Sequence, residues 1–250
     1  MIKITRPAAP PELDAQRVAE LTQIFIDDDT KSPWKAQFIR SALLQMSSGK
    51  CAYCEARIDE ESKYMEVDHY FCKSRHPTRV VEWTNLIPCC KRCNVNKGAH
   101  DVDTQGDLID PTIDTPANHL ILRNYRLSGR DEKGDRTIDI LYLNETKRVV
   151  KARFDIGNVV LESLEKLMVT ANECILDATK NRKISQLQRG FTTLLMETLP
   201  STQYSATAAT SIAHHPNYLS TKNALVALNC WTDELIKLEA NMLAASLGAP

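Results

Sequence analysis

At 250 residues and 43% hydrophobic, the chain can bury one substantial core, or one core plus a small metal-stapled module, and the second arrangement is expected. A formal charge of -1 and a pI near 6.6 exclude the global positive field of proteins that grip nucleic acid unaided, so a local basic patch or a partner must supply any such affinity. No uncharged apolar stretch approaches the ~20 residues needed to span a bilayer, and Met1 to Pro7 lacks a signal-like apolar run; a soluble cytoplasmic protein without a membrane partner is expected.

Past Pro7, Pro10 and Pro11, the residues Leu13, Val18, Leu21, Ile24 and Phe25 recur at helical spacing until Asp27-Asp28-Asp29. A second helix is predicted from Pro33, with Trp34, Phe38, Ala42, Leu43 and Met46 on one face and Ser47-Ser48-Gly49 as its stop. Residues 1–50 thus form a helical platform. Residues 51–116 are short on periodicity and rich in turn formers, as expected where a metal does part of the work of a core. Strands are expected around Leu120 to Arg126 and Thr137 to Leu143, with Gly129 to Gly134 as the hairpin loop between them. The rest of 117–250 is predicted to be a helical scaffold or partner-docking region. Val160, Leu164, Leu167, Met168, Ala171 and Ile175 share one face, further helices cover Ile184 to Leu199 and Asn223 to Leu247, and Ser205 to Ser211 is a small, polar loop.

Two C-x2-C turns, Cys51 with Cys54 and Cys90 with Cys93, have the spacing of one tetrahedral structural Zn²⁺ site. Cys72, Cys89, Cys174 and Cys230 show no regular spacing, so zinc in a reducing compartment is the simpler reading than a disulfide framework. Four thiolates close the coordination shell and leave no place for a catalytic water. Between the turns lie Val67-Asp68-His69 and Asn85, and Asn94 directly follows the last cysteine. C-x2-C pairs alone would fit a zinc ribbon that only binds something.

The register of Asn85 to Gly98, with Asp68-His69 upstream and a cysteine pair on both flanks, closely resembles the HNH endonuclease family. That resemblance implies an α+β chain with a ββα-metal module. It implies that Asp68 and Asn94 are oxygen ligands to a catalytic Mg²⁺ or Mn²⁺, His69 the general base, and Asn85 a positioning residue. The spacing from Asn85 favours Cys90 over Cys89 as the zinc ligand. Glu66, which alternates with Asp68 along a strand-like segment, and Asn96 are competing groups at the site. Of the nearby cations Lys73, Arg75, Arg79, Lys91, Arg92 and Lys97, those expected on substrate phosphates are Lys73, Arg75, Arg92 and Lys97. His76, His100, His119, His214 and His215 read as surface or packing residues.

Over roughly the first three-fifths of the chain, CAYCEARI, EVDHYFCKS, WTNLIPCCKRCNVNKG, LIDP, HLIL and TIDILYLN together resemble the PtuB-type HNH proteins. These accompany an ABC-type ATPase, PtuA, in the Septu antiphage system and in some retron systems. The implied function is a defence nuclease acting with such an ATPase on nucleic acid, DNA being favoured. An RNA-cutting (including tRNA-cutting) nuclease, or a non-catalytic zinc adaptor that docks the ATPase, are the alternatives.

Overall fold

The computed structural model describes residues 1–60 and 64–248. The chain is α+β and divides into two compact units. The first holds Met1, Lys3–His119 and Ser128–Asn144; the second holds Ile2, Leu120–Leu127 and the chain from Glu145 onward. Among the described residues no helix is long and apolar enough to cross a membrane.

In the first unit, helix α1 (Ala15–Asp27) begins where the Asp14 carboxylate accepts from the Arg17 amide at 2.8 Å, an N-cap that satisfies one of the orphan donors of the first turn. Its buried side chains are Leu21 and Phe25. The second expected helix is split. A single 3-10 turn at Pro33–Lys35 comes first, then α2 (Gln37–Met46), because Ala36 at φ -51° and ψ 137° interrupts the helical backbone. The break lets Trp34 turn inward while Ile39 and Leu43 face the core from α2. The chain then reverses at Ser48 and Gly49, both at positive φ.

Strand β1 (Met65–His69) pairs antiparallel with β2 (Leu86–Cys90), with Asp68 opposite Ile87 and His69 opposite Leu86. Helix α3 (Lys91–Lys97) follows β2 directly and packs on both strands, and α2 packs on the same pair. A helix of seven residues is too short to be stable alone. It persists because Cys93 and Lys97 on its inner face are buried.

Around residues 120–143 the expectation fails. The hairpin turn falls inside the first predicted strand, between β3 (Leu120–Arg123) and β4 (Arg126–Gly129). Its two residues are Asn124-Tyr125, at φ 48° and 63°, the backbone of a type I′ turn. The second predicted strand is instead helix α4 (Glu132–Ile140), started by Asp131, whose carboxylate accepts from the Gly134 amide at 2.8 Å. Thr137 to Leu143 is expected as a strand, but Thr137, Ile138 and Leu141 are buried together at helical spacing.

The second unit is a helical bundle. A π-helical turn at Thr146–Val150 leads into α5 (Lys151–Leu176), whose Gly157, Val160, Leu164, Ala171 and Cys174 form the buried stripe. Helices α6 (Asn181–Met196), α7 (Ser205–Ala213) and α8 (Pro216–Ala227) pack on it, and α9 (Asp233–Ala245) packs on α6 and α7. The small residues expected to form a loop are therefore α7, and Ala206, Ala208 and Ala209 are almost wholly buried. Small side chains permit close helix approach here, so tertiary packing rather than amphipathic pattern makes this segment helical. The long final helix is two, broken at Asn229, which sits at φ 56°.

Gly157 lies mid-helix, where alanine normally gains about 1 kcal/mol. A Cβ there would land inside the Tyr125 ring, an overlap that costs about 1–3 kcal/mol in a packed site. Gly157→Ala should therefore destabilise the chain in urea titrations. In a Tyr125→Gly background, where the turn keeps its positive φ, the same change should become neutral or stabilising.

Candidate metal centre and active-site cleft

The Sγ atoms of Cys51, Cys54, Cys90 and Cys93 all lie within 4.8 Å of one another. In each turn the amide of the second cysteine faces the sulfur of the first, Cys54 N to Cys51 Sγ and Cys93 N to Cys90 Sγ, both at 3.5 Å. Four converging sulfurs, three of them from buried residues, could hold a metal such as zinc in the closed shell of a structural site. Burial pushes the Cys51 thiol well up, whereas hydrogen bonds from the neighbouring cysteines hold Cys54 well below the ordinary thiol value. Cys89 takes no part, its sulfur turning to the Glu66 carbonyl at 3.7 Å. The choice of Cys90 follows from strand alternation, since adjacent residues of β2 face opposite sides of the sheet.

From this cluster two elements carry side chains into a neighbouring cleft of about 350 Å³ lined by Trp34, Glu66, Asp68, His69, Lys73 and Asn94 among others. Asp68, His69 and Asn94, which the family resemblance grouped, all line one cleft, with Glu66 among the lining residues. Asn96 points elsewhere, donating to the Leu141 carbonyl at 3.2 Å.

His69 is held by two contacts. Its Nε2 lies 2.9 Å from the Val80 carbonyl, and because a carbonyl only accepts, Nε2 carries the proton and Nδ1 keeps a free lone pair. Trp34 meets the ring edge-on, with centroids 4.7 Å apart. Burial pushes the imidazole below its ordinary pKa, so the ring is neutral near pH 7.

The Asp68 carboxylate is gripped from two sides. Tyr53 Oη donates to Oδ2 at 2.6 Å, and Lys97 Nζ donates to Oδ1 at 3.1 Å and to the His69 carbonyl at 2.5 Å. Burial and the Asp68 charge push the Tyr53 phenol well up, which keeps it a donor. Asn85 is fully buried; its Oδ1 accepts from the Phe71 amide at 2.7 Å, while its Nδ2 donates to the carbonyls of Phe71 and Arg79 at 3.2 and 2.9 Å. An amide is needed there because the loop offers both a donor and acceptors.

The four cations expected on phosphates occupy different places. Lys73 lines the cleft, its ammonium 5.2 Å from the Phe25 ring and 5.5 Å from that of Trp34, and Arg75 is exposed on the same loop. Lys97 is buried, its ammonium held by Asp68. Arg92 reaches the Tyr142 carbonyl at 2.8 Å and Cys93 Sγ at 3.3 Å, so it serves the cysteine cluster and the turn after α4. Spacing along the sequence missed the grip of Tyr53 and Lys97 on Asp68. For Lys97 a signal was available, since it lies one helical turn beyond Asn94 on the same face. His76 pairs with Asp101 and Asp103 at 3.2 and 3.5 Å, a trio whose members satisfy one another.

These features define an α+β protein in which a four-cysteine cluster able to hold a metal lies between a two-stranded antiparallel sheet and a short helix, beside a polar cleft. No protein-family model matches the sequence. Over 242 residues, 96% of this chain and 93% of the relative, it is 42% identical to the Septu protein PtuB of Bacillus thuringiensis. It is also 25% identical over 192 residues to the Septu protein PtuB of Bacillus mycoides, covering 58% of this chain and 63% of that one. The chain belongs to the Septu PtuB family.

Elemental analysis of the purified chain should find about one zinc per molecule, as a single tetrahedral thiolate site requires. Cys90→Ala should lose it and unfold, whereas Cys89→Ala should retain it.

Proposed function

We propose that the protein is a metal-dependent endonuclease of the HNH type that hydrolyses nucleic-acid phosphodiester bonds, DNA foremost, in antiphage defence. The observation that carries this reading is the company of His69: an imidazole fixed through Nε2 by a backbone carbonyl lines the same cleft as the carboxylate of Asp68 and the amide of Asn94, with Nδ1 left as the ring's basic nitrogen. The kinship to Septu PtuB proteins supports the defence role.

The donors suit a hard divalent cation. Asp68 uses one lone pair on each oxygen for Tyr53 and Lys97 and keeps the others, since an ionised carboxylate has about four acceptor sites. Asn94 adds an amide oxygen, and Glu66 a second carboxylate. Asp68 and Asn94 would hold Mg²⁺ or Mn²⁺, which favour such oxygens. When bound, the ion polarises a phosphoryl oxygen and stabilises charge that develops on it. His69 takes the proton from the attacking water at Nδ1, while the Val80 carbonyl keeps the ring from turning and stabilises the imidazolium that forms. Lys73 and Arg75 contact flanking phosphates; with a formal charge of -1 on the whole chain, most of the affinity for a polyanion comes from a partner. The Septu kinship supports an ABC-type ATPase in that role, docked on the helical second unit.

The test is cleavage of plasmid DNA, and of RNA in parallel, by the chain co-purified with its ATPase in Mg²⁺ or Mn²⁺. His69→Ala should fall by about 10²–10⁴-fold, the usual worth of a general base, with zinc content and far-ultraviolet circular dichroism unchanged. Equal rates for wild type and variant would leave a zinc-bearing adaptor instead.

A further inference from the structure

Two centres that motif reasoning treats separately, the cysteine cluster and the cleft, share one side chain. Tyr53 is the third residue of the first cysteine turn, and its ring is fully buried. At its root, the turn is pinned to β2 by the Ala52 amide, which donates to the Pro88 carbonyl at 2.9 Å. At its tip, the hydroxyl donates to Asp68 Oδ2 at 2.6 Å. The phenol therefore spans the distance from the metal-binding turn to the carboxylate with no rotatable group left free.

We propose that Tyr53 is a positioning residue: it fixes the plane of the Asp68 carboxylate, so that a filled cysteine cluster sets the affinity of the cleft for a hard divalent cation. This rests on the reading of Asp68 as a ligand. An aspartate at a strand end rotates freely about its terminal torsion unless both oxygens are held. Here they are held from two sides, and the two holders differ in kind. Lys97 brings a positive charge that opposes a second cation nearby, whereas Tyr53 orients the carboxylate through a neutral dipole. Hydrogen-bond partners of metal ligands of this sort typically set 10–100-fold in metal affinity.

The experiment titrates Mn²⁺ into the zinc-loaded full-length chain and follows the free-ion signal by electron paramagnetic resonance, with no cleavage assay involved. Tyr53→Phe should keep about one zinc per chain and a native circular-dichroism spectrum, yet bind Mn²⁺ about 10–100-fold more weakly. Tyr70→Phe is the control, because Tyr70 is also buried in the first unit and its hydroxyl donates to the Leu108 carbonyl at 2.7 Å; it should leave Mn²⁺ binding unchanged. If Tyr53→Phe binds Mn²⁺ like wild type while Asp68→Ala does not bind it, the inference falls and the nuclease reading stands. Loss of zinc in Tyr53→Phe, or equal weakening by Tyr70→Phe, overturns it in favour of a packing role. Wild type without measurable Mn²⁺ binding removes the assignment of Asp68, and this inference with it.

Discussion

The convergence of four sulfurs within 4.8 Å of one another is the constraint around which β1, β2 and α3 are arranged. A two-stranded sheet of five-residue strands and a seven-residue helix bury too little apolar surface to be stable alone. A metal held by the two cysteine turns would offset that deficit by joining Cys51 and Cys54, before β1, to Cys90 and Cys93 at the end of β2 and the start of α3, and so would hold the strand register. A slip by one would turn every side chain of β1 to the opposite face, taking Asp68 away from Tyr53 and His69 away from Val80. Metal held at the cysteine cluster would thus lend its precision to the cleft.

Where short-range chemistry dictates structure, the sequence was readable. The paired cysteines and most of the apolar stripes of α1 and α5 follow from spacings of a few residues, Ile24 and Ile175 being the stripe members left exposed, whereas the grouping of Asp68 and His69 with Asn94 came from the family resemblance. The failures share a cause as well. Asn124-Tyr125 makes its turn without the glycine that usually marks one, so the hairpin was displaced by several residues. In α7, alanines and threonines show no amphipathic pattern because the helix is enclosed on most sides. Asp68 meets Tyr53 across 15 residues and Lys97 across 29, and sequence periodicity is silent over such separations. The same reasoning explains Lys97: a lysine beside a nuclease-like motif suggests a phosphate contact, but burial next to a carboxylate decides otherwise, because an unpaired buried charge is far more costly than a pair.

The two units divide the physical work. Side chains able to bind metal or move protons gather in the first, where the buried Asp68, His69, Asn85 and Lys97 each have a hydrogen-bond partner. The second is a bundle whose interior is mostly aliphatic and small residues but also takes in Arg153, Thr198 and Thr221, with Phe191 and Tyr218 stacked between α6 and α8. Its exposed surface includes Val159, Val169 and Leu176 along α5.

The hydrogen bonds of Asn85 have a consequence for variation. One amide grips the chain at Phe71 and again at Arg79, so residues 72–78 form a bight whose two ends are clasped at a single knot. The outer part of this bight, around the exposed Arg75, can lengthen, shorten or change charge while Val80 and the imidazole it steadies stay where they are. That gives an evolving lineage one stretch in which preference for a target can drift independently of the reactive groups.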